Sequence, residues 1–249
     1  MNERDVANGF SAVWSEHFPM LSPTFIMAFN ESFACPIFGR AGIVEAVQSG
    51  PRSAGADLLA EFAFRLAAAA NAADMSVNTA AANKSISESA LAAAADRIYE
   101  FRPELNVHEL SLEDPERQEG IRLAAVYEEF FSLWPTESIV FSPAIRGSGV
   151  LGSCFADLAI GRTLYEVKTV SRPFHSCDLR QLLVYLALES VTGDHRWDYG
   201  GLFNPRSGRF CRVSLDWLVT RLSGGRPPTL VFADFVQALV RDSTLDRRF

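Results

Sequence analysis

The sequence predicts an α/β fold: a mixed central sheet flanked by helices, preceded by a mainly helical N-terminal extension. Three observations predict it. Leu123, Ala124, Tyr127, Phe130, Phe131 and Trp134 recur with the 3.6-residue period of an amphipathic helix. Short β-branched and aromatic runs follow, punctuated by glycine and proline. A second apolar helix then separates three of those strands from two more.

Taken in order, residues 10–50 mix aromatics with Pro19, Pro23, Pro36 and Gly39, which predicts irregular packing or short strands. Two alanine-rich helices are expected over Ala54–Ala73 and Ser85–Phe101, the second capped by Ser85 or Ser87 and stopped by Pro103. Glu113-Asp114-Pro115 leads into a helix from Glu116 to Trp134. On it Glu129 falls opposite the apolar stripe, while Glu128 lies at its edge and can face a neighbouring strand. Strands are expected at Ser138–Ser142, Ser153–Ile160 and Thr163–Thr169, then a helix over Asp178–Ser190. Tyr199–Phe203 and Arg209–Val213 form a further strand pair joined through Asn204-Pro205-Arg206-Ser207-Gly208, which carries turn residues. Helices over Asp216–Leu222 and Phe232–Arg241 close the chain. Residues 1–112 thus form the extension, of unknown role, and residues 113–249 the α/β domain.

Composition excludes several classes. Apolar content of 48% with 21% charged residues is that of a globular protein, and no apolar run approaches the ~20 residues that span a bilayer. Cys35, Cys154, Cys177 and Cys211 are too scattered for a disulfide framework or a zinc or iron–sulfur site. The N-terminus lacks a basic segment followed by an apolar core, so a cytoplasmic protein without a membrane partner is expected. His17, His108, His175 and His195 have no metal-like spacing. Net charge is −7, divided as −11 over residues 1–137 and +4 over residues 138–249. A basic C-terminal half suits a phosphate backbone, with Arg172 and Arg180 as contacts.

The basic half also holds the most informative residue. Lys168 is one of two lysines in the chain and ends the run Leu164-Tyr165-Glu166-Val167-Lys168-Thr169. The preceding link Ile160-Gly161-Arg162-Thr163 is a type II′ hairpin turn by its chemistry. Counting outward from it pairs Ile160 with Thr163, Ala159 with Leu164, Leu158 with Tyr165 and Asp157 with Glu166. Asp157, Glu166 and Lys168 then share one face. Carboxylates directly opposed across a ladder, with Cβ atoms roughly 4.5–5.5 Å apart, repel unless a cation sits between them. A magnesium ion suits such an oxygen-rich pair, keeping waters and phosphate oxygens as its other ligands. A lysine beside it stabilises charge on a phosphate or positions the attacking water. On the next helix Gln181 and Tyr185, four residues apart, share a face, with Asp178 one turn earlier.

Asp157, then Glu166-Val167-Lys168, then Gln181-Leu182-Leu183-Val184-Tyr185 resemble the PD-(D/E)xK nuclease superfamily, in particular its RecB-like branch with a Q-x-x-x-Y helix. The resemblance covers about residues 117–215 and none of the first 110. It implies a restriction-endonuclease-like core and a magnesium-dependent deoxyribonuclease, with manganese able to substitute. By that likeness Asp157 and Glu166 hold the metal, Lys168 serves the hydrolytic water, and Gln181 and Tyr185 support the site. An acid from the preceding helix often joins the metal, and Glu128 is the better placed one. Work in DNA processing or defence against foreign DNA is implied, with an ATPase supplied by a separate partner because no G-x-x-x-x-G-K-[ST] motif is present. Two other readings stay open: a nuclease-like scaffold that binds DNA or protein without cutting, and a nuclease directed to RNA.

Overall fold

The structure is a computed structural model that describes residues 1–37, 44–46, 55–106, 110–193 and 196–246, the last three by backbone alone. Gly39, Ala54, His108 and His195 of the sequence reading lie outside these residues. The chain forms an α/β protein with a mixed six-stranded sheet and divides into two compact units. One unit comprises 1–35, 136–204 and 209–249; the other comprises 36–135 and 205–208. This differs from a boundary after residue 112. The first 35 residues join the sheet-bearing unit, and the helix after residue 113 joins the helical one.

The opening segment is helical where irregular chain or strands were expected. Helices α1 (Glu3–Asn8), α2 (Ser11–His17) and α3 (Pro23–Phe33) precede the short strand β1 (Cys35–Pro36). Pro23, one of the residues behind that expectation, sits in the first turn of α3, where its missing N–H costs nothing, and the Ser22 side chain caps that helix. An Asn2–Asp5 capping box opens α1.

The helical unit consists of α4 (Gly55–Ala72), α5 (Val77–Ala82), α6 (Lys84–Phe101) and α7 (Asp114–Phe131). Asn83 caps α6, accepting from the backbone N–H groups of Ser85 and Ile86. Ser87, one of the two expected caps, is instead buried and accepts from Arg117 at 3.2 Å. A Glu113–Glu116 capping box starts α7, and the helix buries Leu123, Ala124, Tyr127 and Phe130 as its periodicity predicts.

In the sheet-bearing unit, β2 (Ile139–Phe141), β3 (Ala144–Ile145), β4 (Cys154–Phe155), β5 (Leu158–Ile160) and β6 (Thr163–Val167) are followed by α8 (Ser176–Thr192). Then come β7 (Tyr199–Asn204), β8 (Arg209–Ser214), α9 (Leu215–Leu222) and α10 (Pro228–Asp246). Sheet order is β1-β8-β7-β6-β5-β2, with β6 and β7 parallel across the α8 crossover and the other pairs among β2 to β8 antiparallel. The β5–β6 register is Leu158 with Tyr165, Ala159 with Leu164 and Ile160 with Thr163, as counted from the turn. Gly161 adopts φ 54° and Arg162 does not, as a type II′ turn requires.

The continuous strand expected over Ser153–Ile160 is broken. Cys154–Phe155 pairs with Ala144–Ile145 in a separate two-stranded sheet, and the chain bends at Asp157 before β5 begins. At the bend the Asp157 side chain takes the Val167 N–H that backbone pairing would otherwise use.

Leu164 and Gly200 lie on the α8 side of the sheet, where a Cβ on Gly200 would touch Leu182 and Leu186. On the opposite side Tyr165 lies over Gly201. A Cβ there would fall 2.2 Å from the Tyr165 ring and 2.7 Å from the Cys211 carbonyl oxygen. The second contact is backbone and cannot move aside. Gly201→Ala is therefore expected to destabilise the protein by about 3 kcal/mol, read as a lower denaturation midpoint with an unchanged denaturant slope.

Candidate active site

Strand β6 ends in a polar cluster. Glu166, two residues after the α8-facing Leu164, presents its side chain to the same side and is 1% exposed. Its Oε1 lies 2.6 Å from Lys168 Nζ. Its Oε2 is buried with no hydrogen-bond partner. Lys168 follows the strand, its backbone N–H fixed to the Phe203 carbonyl at 2.8 Å. Its ammonium also donates to Gln181 Oε1 at 2.9 Å, and Gln181 Nε2 donates to the Tyr185 hydroxyl at 2.9 Å. Four of the sequence-predicted residues thus form one chain of contacts: Glu166, Lys168, Gln181, Tyr185.

Asp157 completes the cluster from the other strand of the hairpin. It is half-buried, and Val167 N–H donates to its Oδ2 at 2.7 Å. This bond points the carboxylate at β6 rather than into solvent. Burial and the Asp157 charge push the Glu166 carboxyl well above the usual carboxylate range, with Lys168 and then Arg4 drawing it back. Burial pulls the Lys168 ammonium down, but Glu166 and Asp157 outweigh that and hold it above the ordinary lysine value. Burial, then the same two carboxylates, raises the Tyr185 phenol, which stays neutral.

Asp178 anchors the helix under this cluster. It is buried, receives two hydrogen bonds from Arg172 at 2.7 and 2.9 Å, and accepts from the His175 backbone N–H at 2.8 Å. His175 is the N-cap of α8, within a capping box with Asp178. Burial pushes the Asp178 carboxyl up, but the Arg172 and His175 bonds win and its pKa falls below the usual range. Its contribution to stability is therefore present above the ordinary carboxylate range and lost as pH drops through the lower folded value. Asp178→Asn is expected to cost about 2 kcal/mol at neutral pH. Denaturation midpoints of the two proteins should converge on acidification.

Other expectations change. Arg172 serves Asp178 and the Pro173 carbonyl rather than standing free for phosphate. Arg180 packs over the Trp14 ring, and its Nη1 reaches the Ala7 carbonyl at 3.4 Å. Glu128 belongs to the helical unit, where it accepts from Val77 N–H at the start of α5 at 3.0 Å. That bond gives it a structural task within its own unit. The charge argument also weakens. The sheet-bearing unit carries 14 basic and 15 acidic residues, net −1, because Glu3, Asp5, Glu16, Glu31 and Glu137 belong to it.

Sequence reasoning also missed α1, which packs against the helix that carries Gln181 and Tyr185. Its buried Val6 and Ala7 pack toward α8, with half-buried Glu3 one turn earlier on that face and Arg4 exposed. Arg4 acts electrostatically on Glu166, and Glu3 on Tyr185. Only the Asn2-x-x-Asp5 capping pattern marked this helix in the sequence.

Among the described residues no group of three or more His, Cys, Asp and Glu side chains gathers into a metal cage. A buried carboxylate oxygen without a partner beside a second carboxylate fits a hard cation that keeps waters and substrate oxygens as ligands. No helix among the described residues is long and apolar enough to cross a membrane. Comparison of the chain with protein-family models, with curated proteins and with solved structures gave no match.

Proposed function

We propose that the chain is a magnesium-dependent nuclease of the PD-(D/E)xK type that hydrolyses phosphodiester bonds in DNA. The observation that carries the reading is the Lys168 ammonium, held between Glu166 Oε1 and Gln181 Oε1 while Glu166 Oε2 stays buried without a partner. Further support comes from the topology: the antiparallel β2-β5-β6 meander, the α8 crossover and the parallel β7 suit a restriction-endonuclease-like core.

Asp157 and Glu166 would hold the cation, which lowers the pKa of a bound water and polarises the phosphate. Lys168, kept protonated by its two carboxylate neighbours, stabilises negative charge developing on the phosphate and orients the water through an N–H. Gln181 accepts one ammonium hydrogen and so fixes where the other two point. Tyr185 holds the Gln181 amide in the orientation that keeps Oε1 toward Lys168. A buried, neutral phenol suits that positioning task rather than acid–base work.

The test is cleavage of labelled DNA and RNA in parallel, with magnesium, with manganese and with chelator, together with a manganese-soaked crystal. DNA cleavage that chelator abolishes, with a metal between Asp157 and Glu166, is expected. RNA cleavage alone would redirect the reading to a ribonuclease. Binding without cleavage under any metal would leave a silent scaffold.

A further inference from the structure

We infer that Asn30 on α3 is a positioning residue for the Lys168 ammonium, acting through the segment that joins this lysine to α8. The inference rests on the nuclease reading and deepens it, because it names what aims the lysine at the reacting phosphate.

Residues 169–175 run from Lys168 to the start of α8 as neither helix nor strand. Such a stretch must find partners for its main-chain groups outside regular structure. Here side chains from other elements supply them. The Asn30 amide donates to the Phe174 carbonyl at 2.9 Å, and its oxygen accepts the Phe174 N–H at 3.0 Å. The same amide donates to the Ile26 carbonyl one turn back at 2.9 Å, which ties the side chain to its own helix. Asn204, buried at the end of β7, donates to the Val170 carbonyl at 2.8 Å and reaches the Arg172 carbonyl at 3.5 Å. The Arg172 guanidinium takes the Pro173 carbonyl at 2.9 Å. The path is therefore held at Val170, Arg172, Pro173 and Phe174.

Asn30 is distinguished by where it acts. It grips Phe174 just before Ser176 opens α8, and Gln181 stands little more than one turn further along that helix. The sheet end of the segment is secured separately, by the Lys168 N–H on the Phe203 carbonyl. Apolar side chains hold α8 against its neighbours, but apolar burial has no direction and tolerates a slip along the contact. A paired hydrogen bond does not. The Lys168–Gln181 bond is 2.9 Å long, so a slip of about 1 Å would carry it beyond bonding distance.

The scarcity of lysine makes the effect visible. Selective isotope labelling of lysine gives two side-chain signals, Lys84 at 87% exposure as a reference and Lys168 at 20%. The experiment compares full-length wild type, Asn30→Ala, Asn30→Asp and Phe174→Leu, and adds Asn30→Ala to Lys168→Ala. Asn30→Asp keeps the volume and the acceptor but not the donor, and serves if the alanine variant folds poorly. Phe174→Leu loses packing in the same segment and keeps the clamp, which controls for lost stability. For both Asn30 variants we expect the Lys168 ammonium to exchange faster with water and its Cε shift to move toward that of Lys84. Their kcat for magnesium-dependent cleavage should fall about 10–100-fold, with KM changed far less. In the Lys168→Ala background Asn30→Ala should change kcat by less than about twofold, because the group it positions is gone. Phe174→Leu should lower Tm and leave the Lys168 signal in place. An unchanged Lys168 signal in the Asn30 variants overturns the inference and leaves the nuclease reading intact. The same holds if Phe174→Leu shifts that signal equally, or if Asn30→Ala costs as much without Lys168 as with it. A wild type that cleaves no nucleic acid overturns the nuclease reading, and the Lys168 signal still decides whether Asn30 positions the ammonium.

Discussion

If the proposed nuclease reading holds, Lys168→Ala is expected to lower magnesium-dependent DNA hydrolysis by about 10²–10³-fold, with some loss of stability because Glu166 Oε1 loses its partner. The ammonium lies 2.6 Å from Glu166 Oε1 and 2.9 Å from Gln181 Oε1, and its backbone is fixed to β7 independently of the side chain. Removing it deletes the positive charge that would face the phosphate but no strand pairing. The loss should fall on kcat, because charge that develops in the transition state is what the ammonium stabilises. Lys168→Arg keeps the charge but not the reach of a single pointed N–H, so it should rescue little. Single-turnover cleavage of a labelled duplex checks both. Equal rates for wild type and Lys168→Ala would sink the assigned role.

Glu166→Gln should separate function from stability in opposite directions. The buried carboxylate has an oxygen without a partner and a second carboxylate nearby, a costly arrangement in the metal-free protein. Its folded pKa is raised, so the folded state retains a proton that the unfolded state has lost. Stability accordingly falls as pH rises from the ordinary carboxylate range through the folded value. Glutamine removes that loss, keeps an acceptor for Lys168 and places a donor where Oε2 has none. We expect the variant to gain on the order of 1 kcal/mol at neutral pH, about 2–4 °C in Tm for a chain of this size. Cleavage and magnesium binding should both be lost. In wild type, magnesium should reverse the pH trend, because the ion needs the deprotonated carboxylate. Thermal melts from pH 4 to 9, with and without magnesium, read all of this. A Glu166→Gln protein less stable than wild type at every pH would contradict it.

Legibility in the sequence followed the range of the interactions. The Gly161 turn is local chemistry, and from it the register of Leu158, Ala159 and Ile160 against β6 could be counted. Gln181 and Tyr185 sit four apart on one helix, so their shared direction was also local. The break at Asp157 was not, because an aspartate in an apolar run reads as strand until its carboxylate is seen competing for Val167 N–H. Pro23 was misjudged for a similar reason. A proline stops a helix from within and starts one from its first turn, and only the Ser22 cap distinguishes the two. Glu128 had the right edge position on its helix, but an angle on a helical wheel does not say which neighbour lies there, and the neighbour is α5. The packing of α1 on α8 was hidden because Ala7 and Arg180 are 173 residues apart, a distance no periodicity spans.

That separation bears on how the protein comes into being. Strands β1 and β2 stand at opposite edges of one sheet, yet the chain between them makes up the helical unit apart from residues 205–208. Joining ends across so long a stretch carries a loop-closure entropy that grows only with the logarithm of length, and less once the stretch has collapsed into a folded body. The helical unit, built from neighbouring helices, has the more local contacts and so the faster route to structure. During synthesis α1 leaves the ribosome long before α8, near residue 180, on which its buried face packs. Helix α1 is thus made early and seated late, after α8 has been made.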